Sequence, residues 1–265
     1  MTHRERNLVT DIASMVGGYL TNTRRGPGYC PVCSTPIEFG TLCRGCIHHR
    51  DVPTALLADQ VVSLAYGGHT PQSQTLLYGY KKEVLAIGVG QKQYTQEQIL
   101  ILYLIHVALD IHRSCIEKSF GPLTHYAVVP STRGRADHPF PQLMELVCVE
   151  VQKLRHVAVG YVGPKSVPGQ QETRKLNSDW YSISASANIT GHHVLVIDDT
   201  WASGNRAQSV SWALKRAGAS SVTVLTVARW LNSDWSANRD FFDSAIIQPP
   251  YNPQVCPLTG GSCPA

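Results

Sequence analysis

Two groups of residues in this chain have types and spacing suited to chemistry, and the first is VLVIDDTWASGNRAQ, Val194 to Gln208. Four apolar residues lead into adjacent Asp198 and Asp199, then a turn of small residues and the start of a helical pattern. If VLVI is a buried parallel strand, both carboxylates emerge at its carboxyl end, where open α/β sheets bind ligands. The turn then feeds a helix whose first N–H groups and dipole suit a phosphate. Ala202, Ser203 and Gly204 let the backbone approach such a ligand, and the Ser203 hydroxyl adds a donor. A phosphate with hydroxyls a few ångström away, as in ribose 5-phosphate, satisfies both halves. Helix capping accounts for one carboxylate or one serine. It does not account for two carboxylates beside a turn stripped of bulk. The commoner nucleotide loops are missing, with no G-x-x-x-x-G-K-[ST] and no G-x-G-x-x-G at a strand end.

The second group is CPVCSTPIEFGTLCRGC, in which Cys30 and Cys33 form one C-x-x-C, and Cys43 and Cys46 another, with nine residues between the pairs. Two such turns can aim four thiolates at one ion in the closed tetrahedral geometry of structural zinc, which leaves no position for substrate. The expected role is to fold a small ribbon that cannot bury a core alone. His48 and His49 follow, but four thiols already fill the site. Arg24, Arg25, Arg44 and Arg50 flank the ribbon and read as a solvated face, with nucleic acid as the alternative. Cys256 and Cys263, with six residues between them in the tail, read as reduced thiols in a turn; a second metal site using Cys148 or a histidine is the alternative.

The elements that must position these groups follow from composition and pattern. At 265 residues, 43% hydrophobic and 16% charged, the chain can bury a core, and its net charge of +4 is scattered rather than gathered in a basic tract. The N-terminus has no continuous apolar stretch of the kind a secretory signal needs. The longest apolar run, Ile99 to Ile111, is short for a bilayer and is interrupted by His106 and Asp110. A cytoplasmic protein with no membrane partner is expected, and reduced clustered cysteines there favour metal over disulfides.

TQEQILILYLIHVALDIHRSCIEKSF, with its threonine start, reads as a long buried helix. HYAVVPS, HVAVGYV, HVLVIDD and SVTVLTVARW read as strands, and PFPQLMELVCVEVQKL and ASGNRAQSVSWALKRAGA as helices. That alternation predicts an α/β fold with a mainly parallel sheet. The expected organisation is a leader (1–28), the zinc ribbon (29–52), linker and hood helices (53–122), a core (123–232) and an irregular extension (233–265).

VLVIDDTWASGN resembles the phosphoribosyl pyrophosphate signature of type I phosphoribosyltransferases, in which hydrophobics precede two acids and a Thr/Ser-Gly turn. With ALKRAGASSVTVLTVAR after it, YGYK at Tyr78 to Lys81 and the four-cysteine ribbon, roughly residues 28 to 230 are similar to the ComF-like branch of that family. The resemblance implies the type I phosphoribosyltransferase fold, with Asp198 and Asp199 on the ribose hydroxyls, directly or through Mg²⁺ that also holds pyrophosphate. It implies that Thr200, Trp201, Ala202, Ser203, Gly204 and Asn205 wrap the 5-phosphate. Ser131, Thr132 and Arg133 of VVPSTRGR would then form the pyrophosphate loop, and Lys165, Arg174 and Lys175 would be charge partners in a mobile loop. Two positions depart from the signature: Arg206 replaces a small hydroxyl residue, and Ala202 one of two Thr/Ser before the glycine.

The implied activity is transfer of the phosphoribosyl group to an unidentified nitrogen acceptor with release of pyrophosphate. The implied cofactors are Mg²⁺ and structural Zn²⁺, and the resemblance allows a homodimer. Two other readings stand: a non-catalytic adaptor in DNA uptake that meets nucleic acid through the ribbon, and a regulator that senses phosphoribosyl pyrophosphate. The acceptor would be gripped by a hood drawn from the segment before Leu123 and from the tail, where HRSCIEKSF and RWLNSDW offer polar and aromatic groups.

Overall fold

The computed structural model describes residues 3–17, 20–68, 71–88, 91–132, 138–164, 175–232, 238–239, 241 and 249–264. Its centre is a six-stranded sheet in the order β1-β2-β10-β9-β5-β6. The strands are β1 (Thr21–Asn22), β2 (Gln60–Gly67), β5 (Leu123–Val128), β6 (Arg155–His156), β9 (His193–Trp201) and β10 (Ser221–Trp230). Only β1 runs antiparallel to its neighbour. This is the mixed α/β fold, with a mainly parallel sheet, that the alternation predicts. The segment 53–122 contributes a strand as well as helices, because β2 pairs in parallel with β10. HVAVGYV divides between β6 and β7 (Val159–Tyr161), which forms an antiparallel ribbon with β8 (Tyr181–Ile183). A second small pair joins β3 (Leu85–Gly88) to β4 (Gln91–Gln93).

The continuous apolar runs of β9 and β10 follow from burial on both faces. Side chains alternate across a strand, so Leu195, Ile197, Leu225 and Val227 enter one core, while Val194, Val196, Val222 and Val224 enter the other. The first core is covered by α1 (His3–Val16), α3 (Pro71–Gly79), α4 (Gln96–Glu117) and α5 (Pro139–Glu145). The second is covered by α6 (Asn205–Arg216), which buries Ala207, Val210, Ala213 and Leu214, and by the ribbon cysteines with α2 (Arg44–Arg50).

Helix α4 starts at the expected threonine. Thr95 accepts from the Gln98 N–H at 3.3 Å, and the Gln98 side chain accepts from the Thr95 N–H at 3.0 Å. The apolar run Ile99 to Ile111 thus lies inside a helix of 22 residues, which by length and composition alone is sufficient to cross a bilayer. Its apolarity is accounted for by the sheet, since Leu100, Ile101, Leu104, Ile105, Leu109 and Ile116 are buried in the first core.

Candidate functional site

Strand β9 continues through the acid pair to Trp201, so Thr200 and Trp201 extend the strand and the turn proper is Ala202 to Gly204. Asp198 and Asp199 are both buried, at 7% and 5% exposure. Being adjacent in a strand, they point to opposite faces of the sheet; Asp199 is ion-paired there, and Asp198 feels the charge of Arg206. Asp199 faces α3: its Oδ2 lies 2.7 Å from Lys81 Nζ and accepts the Tyr80 hydroxyl at 2.5 Å, while Oδ1 accepts the Thr200 hydroxyl at 3.0 Å. Asp198 faces α6, whose Arg206 exerts the attraction on it, and its Oδ1 accepts the Asp199 N–H at 3.0 Å.

These surroundings drive the two acidities apart. Burial raises Asp198 to about 7, against the attraction of Arg206. For Asp199 burial acts the same way, but Lys81, Arg206 and the Tyr80 hydroxyl outweigh it and hold the carboxyl below the usual range. Burial also keeps the Tyr80 phenol protonated, as its donation to Asp199 requires. Arg206 is held charged first by Asp198.

Tyr80 and Lys81 stood in the quoted YGYK without a role. Their backbone is fixed by the same Gln98 that caps α4, whose amide donates to the carbonyls of Tyr80 at 3.1 Å and Lys82 at 2.7 Å. Arg229 was missed as well, although a charge inside the valine-rich SVTVLTVARW was its signal. It is 6% exposed and donates to the carbonyls of Trp201 at 2.6 Å and Ala202 at 2.7 Å. With those carbonyls drawn to Arg229, the turn closes through Gly204 at φ 81° into the first N–H groups of α6. Only glycine serves at this point: a Cβ would stand 2.2 Å from the buried Trp201 ring. The Ser203 hydroxyl accepts the Asn205 N–H at 3.4 Å. The result is a cradle of N–H groups at a helix start, beside two buried carboxylates.

The pairing of β5 with β9 runs on through the Val129 N–H to the Ile197 carbonyl at 3.0 Å, so Ser131 and the buried Thr132 leave the sheet next to the acid pair. Lys175 is exposed, and among the described residues no hydrogen bond or ion pair ties it to either aspartate. Arg133, Lys165 and Arg174 lie outside the described residues.

The ligand atoms of Cys30, Cys33, Cys43 and Cys46 all lie within 4.8 Å of one another, and Cys33 Sγ is 3.5 Å from the sulfurs of both Cys43 and Cys46. Four sulfurs at tetrahedral zinc stand about 3.8 Å apart, so the donor set and its spacing fit Zn²⁺. The ribbon also touches the turn. Cys33 Sγ contacts the Thr35 hydroxyl at 2.9 Å, which accepts from Arg229 Nε at 2.8 Å. His49, on α2, donates from Nε2 to Asn205 Oδ1 at 2.6 Å and meets the Trp201 ring edge-on. Arg25, read as part of a solvated face, is instead a clasp, donating to the carbonyls of Pro31 at 2.8 Å, Val61 at 2.8 Å and Pro257 at 3.0 Å.

Carboxylate oxygens suit Mg²⁺. With Lys81 and Arg206 already balancing the pair, the arrangement fits an ion that shares a ligand's own oxygens rather than a cage of protein atoms.

No family model matches the chain, and no curated protein matches it. Among solved structures it is similar to adenine phosphoribosyltransferase from Saccharomyces cerevisiae in complex with adenine and an imino-altritol bisphosphate (16% identity, 60% of this chain and 98% of that one, TM-score 0.33). It is also similar to adenine phosphoribosyltransferase from Leishmania tarentolae (15%, 67% and 94%, TM-score 0.33) and hypoxanthine phosphoribosyltransferase from Staphylococcus aureus (12%, 60% and 83%, TM-score 0.32). At these identities and scores no residue of this chain is matched to a role. The fold class rests on strand order and register: a mixed α/β architecture with a mainly parallel sheet and a four-cysteine group near its N-terminus.

Proposed function

We propose that this chain binds phosphoribosyl pyrophosphate at the end of β9 and transfers the phosphoribosyl group to a nitrogen acceptor. The observation that carries the reading is the buried Asp198–Asp199 pair next to a turn whose carbonyls are held by Arg229 and whose N–H groups open at the start of α6. One half suits sugar hydroxyls and the other the 5-phosphate. Ser131 and Thr132, which follow β5, would meet the pyrophosphate oxygens, and Lys81 and Arg206 supply positive charge near the acid pair.

In the transfer, the acceptor nitrogen forms a bond to the anomeric carbon as the bond to pyrophosphate oxygen breaks. The nitrogen's proton passes to solvent. The carboxylates stabilise positive charge developing on the sugar, and the cations take up charge on the leaving group. Asp198 and Asp199 would hold Mg²⁺ together with the ligand's oxygens, and the ion would supply further neutralisation of pyrophosphate. In the ribbon, Cys30, Cys33, Cys43 and Cys46 would hold structural Zn²⁺, which suits a reducing compartment such as the cytoplasm.

Asp198→Asn with Asp199→Asn should abolish pyrophosphate release across a panel of bases and amines while leaving the circular dichroism spectrum intact. Turnover retained in that variant would overturn the assignment. Because Asp198 titrates near neutrality, affinity for the ligand should rise as pH passes upward through about 7, and Asp198→Asn should remove that inflection. The cation already seated on Asp199 favours a second reading, a sensor that binds the same ligand without transfer. Calorimetric binding with no pyrophosphate released would establish it. Salt-dependent capture of single-stranded DNA without ligand binding would point to the adaptor instead.

A further inference from the structure

We propose that His112, Cys115, Cys256 and Cys263 form a second zinc site, which staples the C-terminal segment 249–264 to α4. Their four ligand atoms lie within 4.8 Å of one another. The tail pair, read from sequence as thiols in a turn, therefore has its third and fourth partners. They come from HRSCIEKSF, a stretch considered for the acceptor hood, and not from Cys148, which is buried in the first core.

His112 and Cys115 are three residues apart on α4 and so share a helical face. Cys256 and Cys263 are brought together by a tight loop in which the Cys256 N–H donates to the Gly261 carbonyl and the Gly260 N–H to the Cys256 carbonyl, both at 2.8 Å. Gly260 takes φ 75° to close it. The His112 ring is set for coordination. Its Nε2 lies 2.9 Å from the Pro253 carbonyl, which can only accept, so Nε2 carries the proton and the lone pair is on Nδ1. Nδ1 in turn lies 3.3 Å from Cys263 Sγ, near the roughly 3.6 Å expected between nitrogen and sulfur on one tetrahedral zinc. A ring N–H donated to a backbone carbonyl is the usual outer support of a zinc-bound histidine. Three thiolates and one imidazole select zinc over harder cations.

The segment so held is a working part of the fold. Tyr251 is buried in the first core, its N–H donates to the Leu20 carbonyl at 3.1 Å, and Asn252 exchanges hydrogen bonds with the Asn22 side chain at 2.8 and 2.9 Å.

Zinc measured by plasma mass spectrometry on the full-length protein, purified under reducing conditions, tests the site. The wild type should carry two ions per chain, and Cys256→Ser with Cys263→Ser should carry one fewer. Cobalt substitution keeps the test decisive if that variant folds poorly. The wild type should show sulfur-to-cobalt bands from both sites, and His112→Ala should alter only part of that spectrum. An unchanged zinc content in the tail variant, an unchanged cobalt spectrum in His112→Ala, or a disulfide between any two of the three thiols in the purified protein would each overturn the proposal.

Discussion

The ribbon collects its four thiols from seventeen consecutive residues, Cys30 to Cys46, whereas the tail group joins α4 to a loop whose Cys263 lies 151 residues beyond His112. The difference in span goes with a difference in what each group touches. The ribbon reaches the turn after β9 through Thr35 and Arg229 and through His49 and Asn205. The tail group reaches α4 and, through its neighbours, the β1 edge of the sheet. A cavity of about 560 Å³ lies between them, lined by Cys46 and His49 on one side and Cys115 and Lys118 on the other. A local thiol group thus supports the turn after β9, and a long-range one lies where the C-terminal segment 249–264 meets α4.

Disrupting the ribbon is the strongest way to break that contrast. Cys43→Ser with Cys46→Ser should remove one zinc ion and lower affinity for phosphoribosyl pyrophosphate by at least about tenfold, because the metal's binding energy is also folding energy. Calorimetry beside zinc analysis reads both. Arg229→Met comes next. It leaves the carbonyls of Trp201 and Ala202 and the Thr35 hydroxyl without their buried donor, and should lower the stability measured in urea by about 4 kcal/mol. The tail variant Cys256→Ser with Cys263→Ser opens a long closed loop and should cost about 3 kcal/mol in the same assay. Its ligand affinity should stay within about twofold of wild type, since the tail thiols gather on α4 rather than on the turn after β9. Equal loss of affinity in the ribbon and tail variants would erase the distinction. The smallest loss of stability should come from His49→Ala, about 1 kcal/mol for the bond to Asn205, with ligand affinity falling more than in the tail variant.

What was legible in the sequence was local. Strand, acids, turn and helix follow one another in VLVIDDTWASGNRAQ, and each C-x-x-C declares itself over four residues. The rest depended on the order of strands. Tyr80 reaches Asp199 across 119 residues because β2, which leads into α3, pairs beside β10. His112 meets the tail thiols only because Tyr251 and Asn252 dock against Leu20 and Asn22. Arg25 looked solvated because its acceptors are backbone carbonyls, which side-chain types do not reveal. The elements of β9 and β10 were readable from their valines. The neighbours of those strands were not, since a run buried on both faces does not say what covers it.

The alternation of β9 also bears on how such a site can change. Asp199 is ion-paired to Lys81, just past α3, while Arg206 on α6 acts on both acids and Asp199 acts on Asp198. The two carboxylates are therefore tuned as one unit: a substitution that removes the charge of Arg206 or of Lys81 shifts both acidities, although the side chains lie on opposite faces of the strand. A lineage of sequences can reach the pair from either face of the sheet, and whichever face changes, both acids follow.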